Sequence, residues 1–141
     1  MKTQMFTVEE ANGLLPQIRK LLADLRARRE KEDRLQKAKA IEELSWLQPD
    51  GSVSSKAQGE LARLEEERQK EIAAFERSLE EIGKTGAQLK DLDEGLVDFF
   101  AGRGEQIICL CWKEGEKRIG YWHDLESGFA GRRPLEDLEW S

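Results

Sequence analysis

Leu14, Ile18, Leu21 and Leu25 recur at steps of four, three and four residues, and Leu15 and Leu22 widen the line they draw. An apolar stripe of that spacing predicts an amphipathic helix with one buried face. Just ahead of it, Thr7-Val8-Glu9-Glu10 has the order of a capping box, in which the Thr hydroxyl accepts from an orphan amide and Glu10 reaches back to the cap. Pro16 has no amide hydrogen, and its ring collides with the carbonyl four residues earlier. A short first helix near Val8 to Asn12 is therefore expected to break or kink before a long one begins near Leu14. The stripe lapses between Arg26 and Arg34 and returns with Leu35, Ala38, Ile41 and Leu44 before Trp46 and Leu47. Gln48-Pro49-Asp50-Gly51-Ser52 is a turn signal, and Ser54 or Ser55 can cap the next helix.

A second helix is predicted from about Lys56 to Ile82, with Leu61, Leu64, Arg68, Ile72, Phe75, Leu79 and Ile82 at three- and four-residue steps. Folding the two helices back about Gly51 sets residue i roughly opposite residue 102 − i. Phe75, Leu79 and Ile82 then face Ile18, Leu21, Leu22 and Leu25, and Arg68 falls within reach of Glu30, Glu32 or Asp33. The hairpin should have an apolar base, a charged middle and an apolar tip. At 1.5 Å per residue its arms are roughly 40 Å or more long, which a small sheet does not cover. The tip residues Leu35, Ile41, Leu44, Trp46, Leu61 and Leu64 need another surface, and a symmetric homodimer forming a four-helix bundle supplies it most simply.

After Gly83 and Gly86 the period becomes extended. Leu96 to Ala101, Ile107 to Trp112 and Arg118 to His123 read as three antiparallel strands, with a short extra strand around Gln88 to Lys90. Leu96, Asp98 and Phe100 share one side of their strand, Val97 and Phe99 the other. A two-residue loop at Glu114-Gly115 would put Ile108 and Leu110 on one face with Ile119, Tyr121 and His123; a bulged turn would reverse this. The fold class is α+β in a single domain, 1–141. Its helical part is 7–83 with the turn near 48–54, and 87–141 forms a β-meander and C-terminal loop packed at the hairpin base.

Composition narrows the function. A chain of 141 residues can bury a core without staples. With 37% charged residues and a net charge of −6, its average field repels phosphate backbones, so no nucleic-acid partner is expected. The basic residues from Arg19 to Arg34 are interleaved with Asp24, Glu30, Glu32 and Asp33 and read as a solvated helix face. No apolar run has signal-peptide or membrane-spanning character, so a cytoplasmic protein without membrane contact is expected. Cys109 and Cys111 share one strand face with Cα atoms about 6.5 Å apart, which disfavours a bridge. They read as reduced, buried strand residues.

The segments FTVEEANGLLPQIRKLL, KDLDEGLVDFFA, LCW and YWHDLESGFAGRRPL together resemble an uncharacterised bacterial and archaeal family, domain-of-unknown-function family twenty-two-oh-three. The resemblance covers nearly the whole chain and implies no established activity. Cys111 matches the family pattern, whereas Cys109 stands where an aliphatic residue is expected.

Three groups carry candidate chemistry. His123, with Asp98 or Asp124, offers an imidazole and carboxylates to a divalent metal or to proton transfer, and Asp91 and Asp93 are further carboxylates within range of a folded sheet. The plain alternative is a strand-end histidine bonded to a backbone carbonyl or an aspartate. Gly128, Gly131, Arg132 and Arg133 form a glycine–arginine loop suited to a small anion, without the lysine and hydroxyl of a nucleotide P-loop. Asp98 interrupts an apolar strand and, if buried, needs Arg132 or His123 as a partner. The sequence thus points to a non-catalytic, cytoplasmic, homodimeric interaction module that binds a protein partner or a small anion, with no catalytic residue assigned. A metal-assisted hydrolase or metal-binding enzyme built on His123 with Asp98 or Asp124, Arg132 orienting an anionic substrate, is the alternative.

Overall fold

The computed structural model describes residues 4–140. Two helices, α1 (Val8–Trp46) and α2 (Ser55–Thr85), precede five strands: β1 (Gln88–Asp91), β2 (Leu96–Arg103), β3 (Gln106–Lys113), β4 (Tyr121–His123) and β5 (Arg133–Pro134). The strands pair antiparallel in chain order within one sheet, so the architecture is α+β. The chain divides into two compact units. One is Ala23–Leu79; the other combines the residues up to Leu22 with those from Glu80 onward. No described helix is long and apolar enough to cross a membrane.

The capping box forms as the sequence predicts: the Glu10 amide donates to Thr7 Oγ1 at 3.1 Å and the Thr7 amide to Glu10 Oε1 at 2.9 Å. The expected break at Pro16 does not occur, and α1 is one element with Pro16 inside it. An interior proline costs about 3 kcal/mol. Leu15, Ile18 and Leu22 around it are at most 2% exposed, and burying each such side chain contributes about 1.5–3 kcal/mol, which outweighs that cost.

Within the Ala23–Leu79 unit the helices pair close to the predicted register. Arg68 Nε donates to Glu32 Oε1 at 2.6 Å, Lys39 pairs with Glu65 at 3.1 Å and Lys31 with Glu71 at 3.0 Å. Leu47 and Val53 bridge across the turn, where Gly51 takes the left-handed φ of 85°. Ser54 Oγ accepts the Ala57 amide, as a cap should. The seam differs at one position: Leu79 is 38% exposed and the neighbouring Ser78 is buried, donating to Asp24. Its hydroxyl joins the Arg28 guanidinium on Asp24 Oδ2. Leu64 is also withdrawn from the predicted dimer surface, since it is buried in its own hairpin.

In the other unit Val97, Phe99, Ala101, Ile108, Leu110 and Trp112 line the inner face of the sheet at no more than 2% exposure. With Leu15, Ile18 and Leu22 of α1 and Ile82 of α2 they form the core. Phe6 meets Phe99 edge-on, ring centres 5.3 Å apart. Gly104, at φ 57°, and Glu105 turn β2 into β3 and set Asp98 opposite Cys111 and Phe100 opposite Cys109. The connection from β3 to β4 is longer than a two-residue loop. It runs through 114–120, where Glu116 folds back to accept the Lys113 amide and the Trp112 indole N–H, and the Ile119 amide donates to Asn12. Consequently Cys109 lies opposite His123, and Cys111 opposite Tyr121. Ile108 and Leu110 therefore do not share a face with Tyr121 and His123; the two cysteines do.

Candidate functional site

Strand alternation sends Leu96, Asp98 and Phe100 of β2, Cys109 and Cys111 of β3, and His123 of β4 to the face opposite the core. That face is not left to solvent. The chain after β4 flanks it with Leu125, Gly128 and Phe129, and Lys90 of β1 stands at its side, lining a partly open cavity of about 360 Å³. The walls are largely apolar. Asp98, Cys111 and His123 bring the chemistry, and they are 4%, 1% and 3% exposed.

His123 Nδ1 lies 2.7 Å from the Asp124 carbonyl oxygen, and Nε2 lies 3.0 Å from Asp98 Oδ2. A carbonyl only accepts, so Nδ1 carries a hydrogen and donates it. The contact between Nε2 and Oδ2 then requires one more proton, held by the ring or by the carboxyl. Both ring nitrogens are occupied by the protein itself, so the imidazole offers none to a substrate in this arrangement. The buried Asp98 has found the partner its position demands, and of the two anticipated from the sequence it is His123.

The cysteines are unbridged. Burial first, and then the nearby Asp98 charge, pushes the thiols of both Cys109 and Cys111 up to about 11. Arg132 Nη1 lies 4.0 Å from the Cys111 sulfur. Sγ of Cys111, a carboxylate oxygen of Asp98 and a ring nitrogen of His123 all lie within 4.8 Å of one another.

The other predicted residues go elsewhere. Asp124 does not join Asp98 and His123: Oδ1 accepts the Glu126 and Ser127 amides, and Oδ2 lies 3.8 Å from Arg133. Those amides, the Ser127 amide foremost, hold its carboxyl below the usual range. Asp91 accepts the Glu94 amide in the turn after β1. Arg132 makes a two-point pair with Glu116, at 3.2 and 2.6 Å, and stacks on Tyr121 and Phe129 at 3.8 and 4.7 Å. Arg133 lies over Trp122. The two guanidiniums thus serve separate carboxylates and do not converge. Gly128 enters the turn at φ 60°, and a Cβ on Gly131 would come within 2.4 Å of Ser127 Cβ, so both glycines are explained by the shape of the turn.

Cys111, Lys90 and Leu125 are site residues that spacing alone missed. Counting back from a turn centred on Gly104 and Glu105 pairs Asp98 with Cys111, and that count was the available signal. Phe129, beside Gly128, is 42% exposed and walls the cavity.

At the tip of the hairpin, Ile41, Leu44, Trp46 and Leu47 are 63%, 75%, 42% and 55% exposed. Leu44, Leu47, Val53 and Leu61 line a groove of about 630 Å³, and Leu35 is half-buried.

Neither a curated protein nor a solved structure matches the chain. The family described as an uncharacterized conserved protein, DUF2203, matches residues 4–135, which takes in both helices and all five strands. The chain belongs to the DUF2203 family.

Proposed function

We propose that the protein is a non-catalytic small-molecule-binding module whose ligand occupies the cavity on the outer face of the sheet. One observation carries this reading: a cavity of ligand-binding size with apolar walls has a buried, hydrogen-bonded carboxylate and imidazole within it. A carboxylate has about four lone-pair directions, more than His123 engages. The fitting ligand is a small apolar body bearing a hydrogen-bond donor, an amine or a hydroxyl, directed at Asp98. Proton transfer by His123 is not part of this reading, because both ring nitrogens are engaged. The proposed setting is the cytoplasm, where buried, unbridged cysteines stay reduced.

The test is amide NMR titration of the ¹⁵N-labelled protein with a fragment set of primary amines and alcohols on aromatic and branched aliphatic bodies. Saturable shifts clustered on Leu96, Phe100, Cys109, Cys111 and His123 are expected. Shifts confined to other surfaces, or none at millimolar fragment, would reject the reading.

A second reading rests on the exposed tip: self-association of two copies through Ile41, Leu44, Trp46 and Leu47, with Leu61 and Leu35 at the margin. Large apolar side chains concentrated at one end of a hairpin favour burial against an identical patch, and two-fold pairing is the commonest solution. Sedimentation velocity should give a dimer for the wild type and a monomer for Leu44→Glu; equal masses would defeat the idea.

A further inference from the structure

We propose that Asp98, Cys111 and His123 form a binding site for a divalent transition metal of zinc's class, with its open coordination position directed at the outer-face cavity. The inference concerns the same cavity as the small-molecule reading but does not depend on it, since the ion would bind with or without an organic ligand.

Three adjacent strands each contribute one donor, so the backbone fixes the constellation. Tetrahedral zinc, with bonds of about 2.0–2.3 Å, holds its donors roughly 3.3–3.7 Å apart. Here the donors all lie within 4.8 Å, and the nitrogen–oxygen pair is at 3.0 Å. Side-chain rotations of about 1 Å or less at the donor atoms reach the required spacing. The ring is already oriented for the task. Nδ1–H donates to the Asp124 carbonyl, which leaves Nε2 as the ligating nitrogen, the outer-shell arrangement that metal-bound histidines use.

Charge explains why a buried site can accept the ion. A dication held here meets one carboxylate, one thiolate and one neutral imidazole, so ion and donors together are neutral. No net charge enters the apolar surroundings, so the attraction between ion and donors offsets the desolvation that opposes buried ions. The neighbouring Arg132, 4.0 Å from Cys111 Sγ, is balanced by its pair with Glu116. A thiolate and an imidazole select zinc, cobalt or iron over magnesium and calcium, which want oxygen donors. Three protein ligands beside a cavity leave the fourth position to water or to a ligand atom, as in open zinc sites.

Cobalt is the probe, since its spectrum reports both geometry and thiolate. Metal-free, reduced protein titrated with Co²⁺ should take up one equivalent, with the strong visible bands of tetrahedral cobalt and a near-ultraviolet sulfur-to-cobalt band, both abolished by Zn²⁺. Cys111→Ser should lose the sulfur band, Cys109→Ser should keep it, and Asp98→Ala and His123→Ala should lose stoichiometric uptake. Cys111→Ser is nearly isosteric and decides between the outcomes if either of the last two fails to fold. No stoichiometric uptake by the folded wild type, a weak octahedral spectrum, or a sulfur band that survives Cys111→Ser would each overturn the proposal.

Discussion

If Asp98 and His123 share one proton, three substitutions at this pair should differ in cost in a fixed order. In His123→Ala the 4%-exposed carboxyl loses its main partner. Breaking a buried pair from one side costs about 3–5 kcal/mol, and the low end, about 3, is expected because the cavity beside Asp98 admits water. In Asp98→Ala the ring keeps its Nδ1 bond to the Asp124 carbonyl but Nε2 is left unpartnered, which costs about 2 kcal/mol. Asp98→Asn behaves differently. Its amide donates to Nε2 of the neutral ring while Nδ1–H still donates to the Asp124 carbonyl, so every hydrogen bond is kept and the cost should be about 1 kcal/mol or less. The assay is urea unfolding at neutral pH, at one protein concentration, with metal chelated. With an m-value of about 2 kcal/mol/M, the three midpoints should fall by roughly 1.5, 1 and 0.5 M or less. If Asp98→Asn is as damaging as His123→Ala, an asparagine cannot replace what the carboxyl does, and the shared-proton account is wrong.

Other parts of the molecule make independent predictions. Phe99→Ala removes a fully buried ring that meets Phe6 edge-on and should destabilise by about 3–5 kcal/mol in the same assay; a loss under about 1.5 would mean the core is not built around it. With both thiols near 11, alkylation of the native protein at pH 8 should be on the order of a hundredfold slower than in urea, and rapid native labelling followed by mass spectrometry would contradict the burial. Glu65 is lowered from 4.5 to about 2, first by Gln69 and then by Lys39, so its contribution is complete above the unfolded value and disappears as pH falls through the folded one. Thermal melts should therefore lose stability between about pH 5 and 2, and Glu65→Gln should lose less of it over that window; identical acid profiles would remove Glu65 from the account.

Much of the fold was legible because it rests on period. The three- and four-residue steps of α1 and α2, the stop at Gly86 after α2, which runs on through Gly83, and the alternation in β2 depend on local geometry that any observer of the sequence can count. The register of the hairpin followed from one turn, and the Arg68 to Glu32 pair lies where that count places it. The failures have physical causes that spacing does not carry. A proline's local cost is fixed, but the burial that outweighs it depends on residues distant in the chain. Ser78 takes the seam position and meets Asp24 across the hairpin, a pairing that the apolar period does not register, and Leu79 is left 38% exposed. β5 is only two residues, one of them proline, and its pairing is decided by the strand it lies beside.

The candidate site divides in the same way. Its chemistry was visible in Asp98 and His123 as unusual residues in apolar strands, whereas their meeting on one face with Cys111 was not, because the face of His123 depended on the length of the 114–120 connection. Strand faces alternate every residue, so a loop whose length cannot be read from its letters leaves both faces open, and the fold-back of Glu116 chose the one that joins Cys111 to His123. The sequence by itself determined the elements, their order and the pairing of the hairpin, since these follow from distances along the chain. Only the tertiary structure decided which polar groups meet in the cavity and which, such as Arg132 and Asp124, are satisfied elsewhere, because hydrogen bonds and burial across strands depend on distances through space.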